Sequence, residues 1–214
     1  MQPRSCTIPT VPDVPVLRVP LLAPTARLVS LTPVFLREAR AGGAPRLRTA
    51  VRVGHRERVL CVRFDGRDDG AVATFTRRDD PLWLEDVFEV FLTPHEPSHL
   101  YYEFEVNPLG TLFDARVESP RLRRESMRVE TAWDCPDLEA RVSHRAGRWS
   151  ALLYIPLAPL CGGEVPARWR ANFYRVDRGA EDEYSAWSPS FSDPPEFHSP
   201  ERFGVLELES QVPS

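Results

Sequence analysis

The sequence contains no lysine; all 27 of its basic residues are arginine. That single absence excludes a Schiff-base lysine, a phosphate-loop lysine and a lysine haem ligand. Cysteine is scarce. Cys6, Cys61, Cys135 and Cys161 form no CxxC pair, and no Cys/His group has zinc spacing. Asparagine occurs twice, at Asn107 and Asn172. No run approaches the ~18 apolar residues of a membrane span, and the first twenty residues lack the continuous apolar core of a secretory signal. A soluble, cytoplasmic protein with reduced thiols is therefore expected. Net positive charge is lacking too: the formal charge is −4, so composition gives no nucleic-acid or anionic-membrane footprint.

Proline is what the chain has in excess, with 22 in 214 residues, about twice the usual share. Without a collagen-like period it implies many loops and edge strands. Residues 1–25 read as an extended, Pro-rich arm, and residues 26–214 as a single domain. Within that domain, alternating runs dominate: Arg46–Gly54 and Arg58–Gly66 as a hairpin, then Asp86–Pro94, Leu100–Pro108 and Thr111–Glu118. A short strand is expected at Val72–Phe75, a strand followed by a bend over Ala26–Ala39, and one helical turn after Ile155. About ten short strands with few helices predict an all-β fold, an antiparallel β-sandwich or jelly roll.

The stretch Arg77–Glu118 organises the rest. Period two places Val87, Glu89 and Phe91 on one face of its first strand, and Glu103, Glu105 and Asn107 on one face of the second. Carboxylates and an amide beside a loop aromatic, Trp83, suit a sugar: hydroxyls to bond, and a flat C–H face to lie on a ring. Asn172 lies mid-strand, where asparagine is disfavoured, so it either bonds a ligand or caps a buried backbone gap. Asn107 precedes Pro-Leu-Gly, which is equally a turn sequence. Arg175, His198 and Arg202 are candidates to border the same cleft, with Arg175 a fork-shaped donor for vicinal hydroxyls or a sugar acid. Asp79, Asp80, Glu85 and Asp86 form an acidic loop without the spacing of a calcium hand.

The order W-x-x-D-x-x-E-V-F (Trp83–Phe91), F-x-V-N (Phe104–Asn107), the late strand Arg170–Asp177, Ala186–Phe191 and P-x-x-F-G (Pro200–Gly204) resembles the family 9 carbohydrate-binding modules. The likeness spans roughly Thr49 to Leu208. It implies a β-sandwich that binds saccharides, often glucan or xylan chain ends, sometimes with structural calcium. It also implies that Trp83 and Phe197 clamp the sugar and that Glu89 and Asn107 orient it. Glu105 takes the place of an arginine, and Phe197 that of a tryptophan, in sugar-binding members. Non-catalytic saccharide binding is the reading these residues favour. A sandwich that has lost its sugar, a glycoside hydrolase using Glu89, Glu103 and Glu105, and a haem-binding redox sandwich share the same sequence features.

Overall fold

The computed structural model describes residues 13–122 and 124–211. In chain order the strands are β1 (Val16–Val19), β2 (Val34–Phe35), β3 (Arg37–Glu38), β4 (Thr49–Arg56), β5 (Val59–Arg67), β6 (Val87–Thr93) and β7 (Leu100–Val106). They continue with β8 (Leu112–Glu118), β9 (Arg128–Glu130), β10 (Glu139–Arg145), β11 (Arg148–Pro156), β12 (Arg168–Asp177), β13 (Glu183–Ala186) and β14 (Gly204–Leu208). One short helix, α1 (Ala158–Cys161), follows β11.

Two sheets result, as a sandwich requires. The larger runs β1-β14-β12-β6-β7-β8-β9, with β13 on β12 and β3 on β13; the smaller runs β10-β11-β5-β4-β2. All pairings between named strands are antiparallel except β1 with β14. The expected arm thus contributes a strand at Val16–Val19; its first twelve residues lie outside the described residues.

Alternation explains the layers. Phe88, Val90 and Leu92 of β6 and Tyr102, Phe104 and Val106 of β7 face the smaller sheet and bury with Phe64, Trp149 and Trp169. Phe88 is stacked between Phe64 and Trp149, with centroids at 4.7 and 3.8 Å. This ring approaches the β5 backbone so closely that a Cβ at Gly66 would stand 2.8 Å from it. Only glycine admits that contact.

Two local expectations differ from the structure. Val72–Phe75 is not a strand: the Asp86 carboxylate accepts from the Val72 N–H at 3.1 Å, and the Asp86 N–H donates to the Val72 carbonyl at 2.9 Å. Local side-chain bonding here satisfies the backbone that a ladder would have used. Ala26–Ala39 holds a 3-10 turn at Leu28–Ser30 and two two-residue strands, because Pro33 interrupts pairing. Among the described residues no helix is long and apolar enough to cross a membrane.

Candidate functional site

The outer face of the larger sheet carries two consecutive rungs read across its strands. One is Tyr174–Glu89–Glu105–Phe113; the next is Asn172–Phe91–Glu103–Ala115. Antiparallel pairing therefore masses Glu89, Glu103 and Glu105 together, with their carboxyl oxygens within 4.8 Å of one another. They are only 2, 6 and 0 % exposed. What covers them is loop. Leu82 packs with Val87, Phe113, Ala115 and Val176 on one side; Phe203 packs with Phe91, Tyr101 and Tyr174 on the other.

Burial raises all three acids. Glu89 is pushed well above the ordinary carboxylate range by desolvation and the Glu103 charge, Glu105 by desolvation and the charges of Glu89 and Glu103, and Glu103 up to about 7 by desolvation. Around Glu105 the Trp83 backbone N–H favours the charged form, too weakly to offset its burial. The Glu103 carboxyl beside it can bond it only by keeping a proton. The group is thus a partly protonated cluster, able to donate as well as accept.

Above it opens a cleft of about 390 Å³, with Glu89 and Glu103 in its lining and Trp83, Phe113, Tyr184, Phe197 and His198 around them. Trp83 is 40 % exposed and meets Phe113 edge-on at 5.2 Å. Its loop is fixed by Arg178, which donates to the Trp83 carbonyl at 3.2 Å and also bonds Asp182 and the Tyr184 hydroxyl. Phe197 is half-buried, stacked on Tyr174 at 4.1 Å and edge-on to Tyr184 at 6.1 Å. His198 Nδ1 lies 2.9 Å from the Tyr101 hydroxyl, and burial lowers the imidazole to about 3, so it is neutral at pH 7.

Of the expected site residues, Trp83, Glu89 and Phe197 line this cleft, and Glu105 sits behind it within the carboxyl group. The other three serve the fold. Asn107 donates to the Phe75 carbonyl and accepts from the Leu109 and Thr111 amides at 2.8–3.0 Å: it is a turn residue. Asn172 stands where β12 exchanges β14 for β13 as its neighbour. There it donates to the Ser188 carbonyl and accepts from the Ser188 N–H, replacing the missing ladder bonds. Arg175 points to the opposite face of the sheet. It is 1 % exposed and bonds Asp177, Thr49 and the Arg67 carbonyl. Its neighbours in period two, Phe173 and Asp177, are likewise buried.

Glu103, expected on this polar face beside Glu105 and Asn107, lines the cleft together with Glu89. Arg178 and Tyr184 gave no signal in the sequence, since they flank an ordinary polar turn.

The acidic loop does not fit calcium. Glu85 accepts from Thr74 and Phe75, Asp80 from the Arg77 N–H, and Asp86 from the Val72 and Arg178 amides. Asp79, Asp114 and Asp134 surround the Arg78 guanidinium, which stands where a metal ion would.

Residues 43–208 match the family model described as carbohydrate-binding family 9. The chain belongs to this family. Three solved structures share its fold. A protein from Bacteroides uniformis, described as a candidate carbohydrate binder, superposes with a TM-score of 0.71 at 18% identity, covering 91% of this chain and 99% of that one. Two structures of a family 9 module from Caldicellulosiruptor kristjanssonii give 0.63 in complex with glucose and 0.64 in complex with cellotriose. Their identities are 12% and 11%, with 94% of this chain and 98% and 99% of theirs covered. An "Extracellular protein" of Arthroderma benhamiae is 27% identical over 140 residues, 60% of this chain and 63% of that protein. This family 9 chain thus spans less than two thirds of that relative's length.

Proposed function

We propose that this family 9 protein binds a mono- or oligosaccharide of glucan or xylan type, without cleaving it, in the cleft between Trp83 and Phe197. One observation carries the placement: a 40 % exposed indole stands beside two buried carboxyls that line the same cleft. A pyranose lays its C–H face on the ring while Glu89 and Glu103 exchange hydrogen bonds with its hydroxyls. The glucose and cellotriose held by the Caldicellulosiruptor modules support a glucan-type ligand.

Hydrolysis is disfavoured by the placement of the acids. A glycosidase sets its two carboxyl groups on either side of the scissile bond. Here all three rise from one face of one sheet, on adjacent strands.

Calorimetric titration with glucose, cellobiose and xylobiose tests the reading. Saturable binding is expected, weakened roughly tenfold to a hundredfold by Trp83→Ala, since stacking on an aromatic ring is worth about 1–3 kcal/mol. Absence of binding to all three sugars, or unchanged affinity in the variant, would overturn it.

A further inference from the structure

The smaller sheet also has an outer face, and its register produces an unusual row. Arg48, just before β4, accepts at its carbonyl from the Arg67 N–H of β5 at 3.0 Å. Arg67 pairs with Arg148 of β11, and Arg148 with Arg145 of β10. Four arginines thus occupy one rung across four strands, all exposed. The adjacent rung on this face is Ala50–Asp65–Ser150–Ser143, small or hydroxyl-bearing but for one acid. Arg52 and Arg63, paired across β4 and β5, follow. All these residues line one concavity of about 500 Å³.

Like charges directly opposite one another destabilise a sheet. The face does little to offset them. Asp65 is the one acid in the lining, and its carboxylate is spent on Arg52, Arg63 and Ser150. Arg67, Arg145 and Arg148 make no side-chain hydrogen bond or ion pair among the described residues. Arg48 lies over the Phe35 ring, 3.7 Å from its centroid. In a chain of net charge −4, a concentration of unpaired guanidinium groups on one rung is a local feature with a local use.

We propose that this face is a second binding site, separate from the cleft, for an acidic polysaccharide of polyuronate type. Guanidinium groups hold carboxylates in bidentate pairs. The row repeats at the strand spacing of about 4.8 Å, so it spans about 14 Å as a straight line of cations. An extended glycan presents one carboxylate per sugar along such a line, and the Ser143 and Ser150 hydroxyls flank it for the remaining sugar oxygens. Single-stranded nucleic acid suits the groove less well. Its bases need open aromatic platforms, and Phe35, the one aromatic in the lining, is already covered by Arg48.

The test is titration of the full chain with tetragalacturonate, cellotetraose and a short oligothymidylate, at low and at physiological salt. Tetragalacturonate is expected to bind and to weaken as salt is added, and cellotetraose is expected to be indifferent to this face. The double variant R67E/R148E should lose at least tenfold in tetragalacturonate affinity, with an unchanged circular dichroism spectrum. Trp83→Ala should lose nothing for this probe, which separates the inference from the fate of the cleft. Arg145→Glu, at the hairpin edge, repeats the test if the double variant does not fold. No tetragalacturonate binding at low salt, unchanged affinity in the charge-reversed variants, or tighter Arg67-dependent binding of oligothymidylate would each overturn the proposal.

Discussion

Arg175→Met is expected to cost about 3–5 kcal/mol of folding stability, the range for stranding one member of a buried ion pair. For a chain of this size that corresponds to a fall in Tm on the order of 10 °C. The guanidinium is 1 % exposed and bonds Asp177, itself 1 % exposed, together with the Thr49 hydroxyl and the Arg67 carbonyl. Methionine fills much of the volume but leaves these acceptors unpaired. Asp177 retains only the Gly179 N–H at 3.3 Å and Arg46 at 3.5 Å. Replacing both partners, as Arg175→Met with Asp177→Leu, should recover a large part of the loss, because the stranded charge disappears with its partner. Thermal denaturation followed by circular dichroism checks both variants. Sugar affinity is the second readout. Arg175 lies on the face away from the cleft, so a folded Arg175→Met protein should bind cellobiose as the parent does. A selective loss of binding at unchanged Tm would return Arg175 to the site.

The carboxyl cluster should make the protein less stable as pH rises from 6.5 to 8.5. Glu103 is raised from 4.5 to about 7, and Glu89 and Glu105 well above the ordinary carboxylate value, so the folded chain holds protons that the unfolded chain has released. Stability from such groups is fully present below about 4.5 and is lost as pH climbs through the folded value. With its folded value at about 7, Glu103 alone loses about 1 kcal/mol or slightly less across the window, or roughly 2–3 °C in Tm. Asp114, raised to about 6 by burial, acts in the same direction. His198 works oppositely but elsewhere: lowered to about 3, its contribution is lost only as pH falls below about 6.5. Glu105→Gln removes one carboxyl and supplies an amide donor to the other two. Its Tm should therefore fall less steeply and exceed the parent's at pH 8.5. A flat parent profile, or parallel slopes in the two proteins, would contradict this account of the cluster.

The layers of the sandwich were legible in the sequence, and the reason is geometric. Period two fixes which residues share a face, so Phe88, Phe104 and Glu103 fell on the sides the structure gives them. The hairpin of β4 and β5 was legible through its alternation and its intervening turn. What covers a face was not. Glu89, Glu103 and Glu105 read as a polar sheet surface, yet they are buried, with Leu82 from the loop before β6 and Phe203 from a loop near the end of the chain packed on the same face. Alternation carries no information about such loops. Asn107, Asn172 and Arg175 show the same limit from the other side. Each is a polar residue in a strand-like run, and its role depends on where a backbone gap or a buried carboxylate happens to lie. Net charge concealed the arginine row of the smaller sheet, because only register places Arg48, Arg67, Arg148 and Arg145 side by side.

The most direct measurement of where a saccharide binds follows the five indole N–H resonances while cellotriose is added. Trp149, Trp169 and Trp187 are buried, and Trp133 packs against Tyr102 in the core, whereas Trp83 alone of the five is exposed and lines the cleft. The Trp83 resonance should move and saturate, with the other four unchanged. Binding that left Trp83 in place and shifted a different indole, or none, would contradict the cleft between Trp83 and Phe197 as the binding site.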